Sequence, residues 1–220
     1  MNILIIDDHP LIRISYKNII QNICKDAIFF EYDKADSLES FLNKEKIEFA
    51  IVDLNLKEKS GFCVIKLLHS KQPNCKIIVI SMYDDIEIVW LCKKFGASAF
   101  IPKNSELITI TNILKKIFNE IKYSFITTQE LHQKISSLLI SDIEFFYENF
   151  SILSYTEKTI FKLKIHGYKN KEIASLLKIK LKTVENHITN ITSKCIPHNY
   201  NFREFMEKYK TTLKFIASLE

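Results

Sequence analysis

Five side chains of this 220-residue chain have the types and positions to do chemistry together: the carboxylates Asp7, Asp8 and Asp53, the hydroxyl of Ser81 and the ammonium of Lys103. Three carboxylates drawn into one crevice repel each other unless a divalent cation joins them. Mg2+ is the hard cation that takes few carboxylates, some waters and a phosphate oxygen. A carboxylate so placed can accept a phosphoryl group. A cation on one side and an ammonium on the other would stabilise the charge on the group in transfer.

The elements that must position these groups can be read from hydrophobic patterning. Residues 2–6, 27–32, 49–52, 76–80 and 99–101 are brief runs rich in Ile, Val and Phe, the signature of buried parallel strands. Between them lie segments of helical period. Pro10 suits a first helical turn, and Leu11, Ile14, Ile19 and Ile23 follow at steps that share a face. Residues 36–46, 62–71, 85–95 and 105–121 read the same way. Five strands alternating with five helices predict a doubly wound five-stranded parallel sheet, because parallel neighbours need right-handed crossovers. In such a sheet, ligands bind at the carboxyl ends of the strands. Asp7 and Asp8 follow the first strand, Asp53 the third, Ser81 the fourth and Lys103 the fifth, so all five converge on one crevice. The three glycines, Gly61, Gly96 and Gly167, fall at loops or helix ends, where positive φ is cheap without a Cβ.

This arrangement resembles the receiver domain of bacterial two-component response regulators over residues 1 to about 120. The motifs are Ile5-Ile6-Asp7-Asp8-His9-Pro10, Val52-Asp53-Leu54-Asn55-Leu56 with Gly61 eight residues after Asp53, Ile80-Ser81-Met82, and Gly96-Ala97-Ser98-Ala99-Phe100-Ile101-Pro102-Lys103. The resemblance implies a flavodoxin-like fold in which Asp53 takes a phosphoryl group from a sensor histidine kinase. Asp8, Asp53 and the Asn55 backbone carbonyl would hold Mg2+, with Asp7 in support. Lys103 would pair with the phosphoryl oxygens. Ser81 would move toward them and let the Phe100 ring turn inward, remodelling the face formed by the fourth helix, fifth strand and fifth helix. Lys57 stands where that family often has Pro, and Asn104 follows Lys103 in place of a frequent Pro.

Beyond residue 150 only helical periodicity remains, at about 155–166, 170–177, 181–195 and 201–218. The stretches Leu153-Ser154-Tyr155-Thr156-Glu157-Lys158, Gly167-Tyr168-Lys169-Asn170-Lys171-Glu172-Ile173-Ala174 and Lys182-Thr183-Val184-Glu185-Asn186-His187-Ile188-Thr189-Asn190-Ile191 look like the LuxR/NarL type of helix-turn-helix. Ile173, Ala174, Leu176 and Leu177 would form the apolar face of a short scaffold helix, and Ile179, Val184, Ile188 and Ile191 the stripe facing it. A helix offering Glu185, Asn186 and Thr189 on its other side suits base reading in a major groove, with Asn bonding adenine twice and Glu accepting from cytosine. Lys171, Lys180, Lys182, Thr183, Asn190 and Lys194 would touch phosphates, which position the domain. Thr156 and Thr159 replace a frequent Arg and Glu, removing a familiar internal ion pair, and Glu185 replaces a frequent Lys. His187 reads as a packing or hydrogen-bonding residue. The aromatic final helix reads as core or dimer face.

Charge divides the chain in the same way. Residues 1–122 carry 17 basic and 16 acidic side chains (+1), residues 123–150 carry 1 and 4 (−3), and residues 151–220 carry 13 and 6 (+7). The expected organisation is a receiver at 1–122, a partly helical linker at 123–150 containing Leu131, Ile135, Leu138 and Leu139, and a small all-α DNA-binding domain at 151–220. Apolar runs fall short of the roughly 18–20 residues of a membrane span, and the acids at 7 and 8 exclude a secretory signal, so a cytoplasmic protein is expected. Five scattered cysteines without CxxC or Cys/His pairing argue against a zinc site or disulfide framework. The functional expectation is a promoter-binding transcription factor, controlled by phosphorylation through dimerisation or domain release. It would act as a homodimer on an inverted repeat, with RNA polymerase a further partner. The rivals are a receiver-containing protein-interaction module and an aspartyl-phosphate hydrolase. Without a separate general acid, enzymatic turnover is not expected.

Overall fold

Apolar runs rich in Ile, Val and Phe form five strands near where the sequence marks them; four are buried, whereas residues 28–32, expected as a buried strand, form one edge of the sheet and are exposed or half-buried. The computed structural model describes residues 1–57, 60–119, 125–137 and 141–219. Two compact units divide the chain, Met1–Leu138 and Leu139–Glu220.

The first unit holds strands β1 (Asn2–Ile6), β2 (Ile28–Tyr32), β3 (Phe49–Val52), β4 (Lys76–Ser81) and β5 (Ala99–Pro102). All pairs are parallel in the order β2-β1-β3-β4-β5, which reverses direction between β1 and β3. Helices α1 (Pro10–Gln21), α2 (Leu38–Leu42), α3 (Gly61–Lys71), α4 (Ile86–Lys94) and α5 (Leu107–Asn119) supply the crossovers. Tyr16 and Ile20 of α1 and Ile110, Ile113, Leu114 and Ile117 of α5 pack with Ile3, Ile5, Ile51, Ile78, Ile80, Ala99 and Ile101 on one sheet face. Strand alternation sends Leu4, Ile6, Val52, Val79 and Phe100 to the other.

The register positions the crevice. Ile6 pairs with Val52, so Asp7 and Asp53 leave the sheet side by side, and Ser81 pairs with Pro102, the residue before Lys103. The expected face of α1 holds only in its second half: Ile19 and Ile23 pack on the core as expected, but Leu11 and Ile14 are exposed, and Ile12, Tyr16 and Ile20 take their place. Helix α2 fills only five residues of the expected 36–46. Expected helical residues 120 and 121 lie outside the described residues, as do Leu138 and Leu139.

After α5 the chain does something the sequence pattern does not announce. Ile126 forms a parallel bridge with Ala99, and α6 (Gln129–Ser137) then packs on α4.

The second unit is all helical: α7 (Ser141–Phe150), α8 (Tyr155–Ile165), α9 (Asn170–Leu177), α10 (Leu181–Cys195), α11 (Phe202–Lys208) and α12 (Lys210–Ser218). The core of this unit is aromatic, with the Phe146 ring 5.2 Å from Phe161 and 5.4 Å from both Phe150 and Phe205. The single helix expected at 201–218 is two, broken at Tyr209, whose hydroxyl bonds Asp142 Oδ2 at 2.8 Å. Phe205, Tyr209, Leu213 and Ile216 are buried, which makes their stripe core. Leu176, expected in the apolar face of α9, is 57% exposed, whereas Ile173 and Ala174 are buried.

Candidate functional site

Backbone bonds fix the acidic loops before any side chain acts. The amide of Asp53 donates to the Ile6 carbonyl at 2.9 Å, and that of Asp7 to the Tyr32 carbonyl at 3.2 Å. Asp7 and Asp53 are almost wholly buried. Between them lies the Lys103 ammonium, whose Nζ is 2.8 Å from Asp7 Oδ2 and 2.7 Å from Asp53 Oδ2. Burial alone would lower the Lys103 pKa, but its hydrogen bonds to Asp53 and Asp7 outweigh that and raise it, so the side chain is a cation. Burial, ahead of the opposing pull of Lys103 and with the neighbouring charge of Asp7 added, holds the Asp53 carboxyl above its ordinary range.

The remaining oxygen, Asp53 Oδ1, is buried without a hydrogen-bond partner among the described residues. A buried unpaired carboxylate oxygen is costly, and such atoms mark places where a ligand or ion completes the structure. Asp7, Asp8, His9 and Asp53 each offer one ligand atom, all within 4.8 Å of one another. Hard oxygen donors around an orphaned oxygen fit a divalent cation such as Mg2+.

Ser81 is fully buried, its Oγ accepting from the Tyr83 amide at 3.2 Å, and the Lys103 amide donates to the Ser81 carbonyl at 2.8 Å. The ends of β4 and β5 are thereby tied together. The Phe100 ring, expected to turn inward, is fully buried in this structure. The Asn55 side chain is exposed, leaving its backbone as the part that faces Asp53. Sequence reasoning missed His9, whose Nδ1 lies 2.7 Å from Asp8 Oδ1, and Arg13, whose Nη1 donates to the Asp7 carbonyl at 2.6 Å. The signal for His9 was its place beside the acidic pair; Arg13 had none.

In the second unit, α9 and α10 are joined by three residues, with Lys178 in the left-handed region at φ 54°. Lys171, Lys180, Lys182, Asn186, Thr189 and Asn190 are exposed, and Thr183 and Glu185 are half-buried. Lys182 Nζ lies 3.5 Å from Glu185 Oε2, and the Thr189 hydroxyl donates to the Glu185 carbonyl at 3.1 Å. His187 is half-buried, and its Nδ1 has no hydrogen-bond partner among the described residues, in keeping with a packing role.

Lys194 is placed differently from its expected phosphate contact. Its Nζ lies 2.8 Å from Oε1 and 2.9 Å from Oε2 of Glu157, which also closes the capping box of α8 with Ser154. An internal ion pair thus joins α8 to α10 even though Thr156 and Thr159 carry no charge. Burial alone would raise the Glu157 pKa, but its hydrogen bonds to Lys194 and Ser154 outweigh that and lower it. A depressed folded pKa contributes stability present above the unfolded value of about 4.3 and lost as pH falls through the folded value. The protection of α8 and α10 amides in the full chain, measured against the intrinsic exchange rate at each pH, should therefore fall on acidification below about pH 4.3, and Glu157→Gln should flatten that response. Because Lys194 is partly solvated, the substitution should cost only about 1–2 kcal/mol near neutral pH. An unchanged acid response would refute the role given to Glu157.

The profile of the family described as response regulator receiver domain matches residues 3–118, just over half the chain. The chain belongs to the response-regulator family. The profile of the luxR family of bacterial regulatory proteins matches residues 151–199 of the same response regulator. Oxygen regulatory protein NreC of Staphylococcus epidermidis is 28% identical over 199 residues, covering 88% of this chain and 90% of that protein. Fimbriae Z protein of Salmonella typhimurium is 26% identical over 90% of this chain and 91% of its own length. Among solved structures, RcsB of Salmonella enterica serovar Typhimurium, bound to promoter P1flhDC with the phosphomimetic BeF3−, matches with a TM-score of 0.63 at 19% identity. That match covers 100% of this response regulator and 98% of the RcsB chain. Two domains of known kinds thus account for the acidic crevice and the helical unit. No described helix is long and apolar enough to cross a membrane.

Proposed function

We propose that this DNA-binding response regulator is switched at Asp53. The observation that carries the reading is the Asp53 carboxylate itself, buried at the end of β3, with one oxygen on Lys103 and the other without a partner. The unpaired oxygen is the nucleophile. It attacks phosphorus of a phosphohistidine on a sensor kinase; the P–O bond forms as the P–N bond breaks, and the imidazole leaves with the electron pair. Asp8, Asp53 and the Asn55 carbonyl would hold Mg2+, which when bound offsets negative charge on the phosphoryl oxygens. Asp7 keeps Lys103 in place, Lys103 takes one phosphoryl oxygen, and Ser81 takes another. Lacking a second acid or base for turnover, the group stays on Asp53 as a signal.

The signal governs promoter binding by the second unit, acting in the cytoplasm as a homodimer on an inverted repeat. Glu185, Asn186 and Thr189 read bases, while Lys171, Lys180, Lys182, Thr183 and Asn190 touch phosphates. Lys194 leaves this set because Glu157 holds it. Binding to fragmented genomic DNA across a salt series, with Mg2+ and with or without beryllofluoride, tests the reading. Specific, salt-sensitive binding strengthened by beryllofluoride is expected; equal binding in both states would sink the switch. Lys182→Ala should weaken binding to all sequences and reduce the salt slope by about one. Asn186→Ala should cost roughly 1–3 kcal/mol and relax the preference at one base.

A further inference from the structure

The edge of the sheet beyond β5 is closed by the chain's own connector. The Phe100 amide donates to the Ile126 carbonyl at 2.9 Å, and the Ile126 amide donates to the Ser98 carbonyl at 3.0 Å. These two bonds grip Ile126 around Ala99, adding one residue of a sixth parallel strand to an edge that would otherwise stay unpaired. Three residues later α6 begins and lies against α4, with Leu131 buried. Lys134 of α6 pairs with Glu130 and also lies within electrostatic reach of Asp84, in the loop between β4 and α4.

Both attachment points of this segment hang from the acidic crevice. Phe100 stands three residues before Lys103. Helix α4 is reached from Ser81 through the loop containing Asp84. Ser81 and Lys103 are themselves joined by the backbone bond between them. A movement of either residue toward a group on Asp53 therefore displaces the strand and the helix that hold the segment.

The hold is also light. Besides the two backbone bonds, the described side chains give it Leu131 as a buried anchor and Ile126 partly buried against the sheet core, while the Thr127 hydroxyl is buried without a partner among the described residues. The Leu131 amide reaches Thr128 Oγ1 only at 3.5 Å, a marginal bond. Few buried contacts and an unsatisfied polar group put a segment at the low-stability end of a fold, where switching elements are found.

We infer that residues 125–137 are a releasable strap occupying the α4–β5 face, held through the Phe100 backbone and freed when Asp53 is phosphorylated. The inference rests on the phosphoacceptor reading above and adds what that site controls within its own unit. Release uncovers α4 and the β5 edge and frees the connector leading to the helical unit.

Amide hydrogen exchange of the full chain, read by mass spectrometry with Mg2+ alone and with Mg2+ plus beryllofluoride, tests this, with fluorine NMR reporting the bound mimic. Residues 98–101 and 125–137 should exchange about tenfold faster with the mimic bound, while β1 and β3 stay protected. Leu131→Asp, and independently Ile126→Pro, which removes the donor to Ser98, should show fast exchange at 125–137 without the mimic. By reciprocity each should bind beryllofluoride about fivefold tighter or more. Bound mimic with unchanged exchange in both segments overturns the strap. Variants that bind the mimic no more tightly than the natural chain also overturn it. Absence of a bound fluorine signal overturns the phosphoacceptor reading and takes the strap with it.

Discussion

Asp53→Asn should reduce phosphoryl uptake to background when the full chain is given a radiolabelled phosphodonor and Mg2+. The amide is close in shape to the carboxylate, and its carbonyl oxygen can still accept from Lys103, which lies 2.7 Å from Asp53 Oδ2 in the natural chain. What is lost is the nucleophile, because a neutral amide oxygen is far weaker than a carboxylate and cannot form an acyl phosphate. Stability should not fall with it. The substitution removes one of two buried carboxylates sharing a single ammonium, and burial already disfavours the charged form of Asp53. A thermal unfolding midpoint near that of the natural chain, with no label incorporated, is the expected pair of results. Full incorporation would remove Asp53 from the role assigned to it and direct the search to Asp7 or Asp8. Loss of label together with loss of folding would instead mark Asp53 as a structural carboxylate.

How far such a site can be read from sequence depends on whether its cause is local. The strands at 2–6 and 49–52 were legible to the residue because a short apolar run bounded by polar residues suits a buried strand, and the acids after them could be placed at strand ends without coordinates. Ser81 and Lys103 followed from the same logic. The face of α1 was less secure, since Leu11, Ile12, Ile14, Ile19, Ile20 and Ile23 permit two phases and only burial chooses the one through Ile12, Tyr16 and Ile20. The pair Glu157–Lys194 spans 37 positions and depends on how α8 meets α10, so no periodicity reveals it. A one-residue bridge at Ile126 has no pattern at all, being defined by an edge supplied 27 residues earlier at Ala99. The break at Tyr209 was hidden because an apolar stripe continues on both sides of it.

Gly61 is the place where sequence reasoning was right about the residue and wrong about the reason. Positive φ explains Gly96 and Gly167, at 96° and 90°, but Gly61 is not among the positive-φ glycines. A Cβ built on Gly61 would lie 2.1 Å from the Asp53 carbonyl oxygen and 2.6 Å from the Leu54 Cα, both backbone atoms with no rotamer to yield. The start of α3 therefore presses directly on the phosphoacceptor strand end, held there by the Gly61 amide donating to the Leu54 carbonyl at 2.9 Å and by Ser60 capping the helix. Gly61→Ala should destabilise the first unit by about 2–4 kcal/mol, since either α3 or the residues after β3 must move by more than a core tolerates. The helical unit should keep its own stability, so two unfolding transitions should separate, with Trp90 fluorescence following the first. Where the chain remains folded below that transition, phosphoryl uptake should fall as well, because relief of the clash shifts the backbone that carries Asp53 relative to Lys103. Unchanged stability and uptake in Gly61→Ala would mean that the α3 terminus yields without cost, and that Asp53 is positioned by β3 and its bond to Ile6 alone.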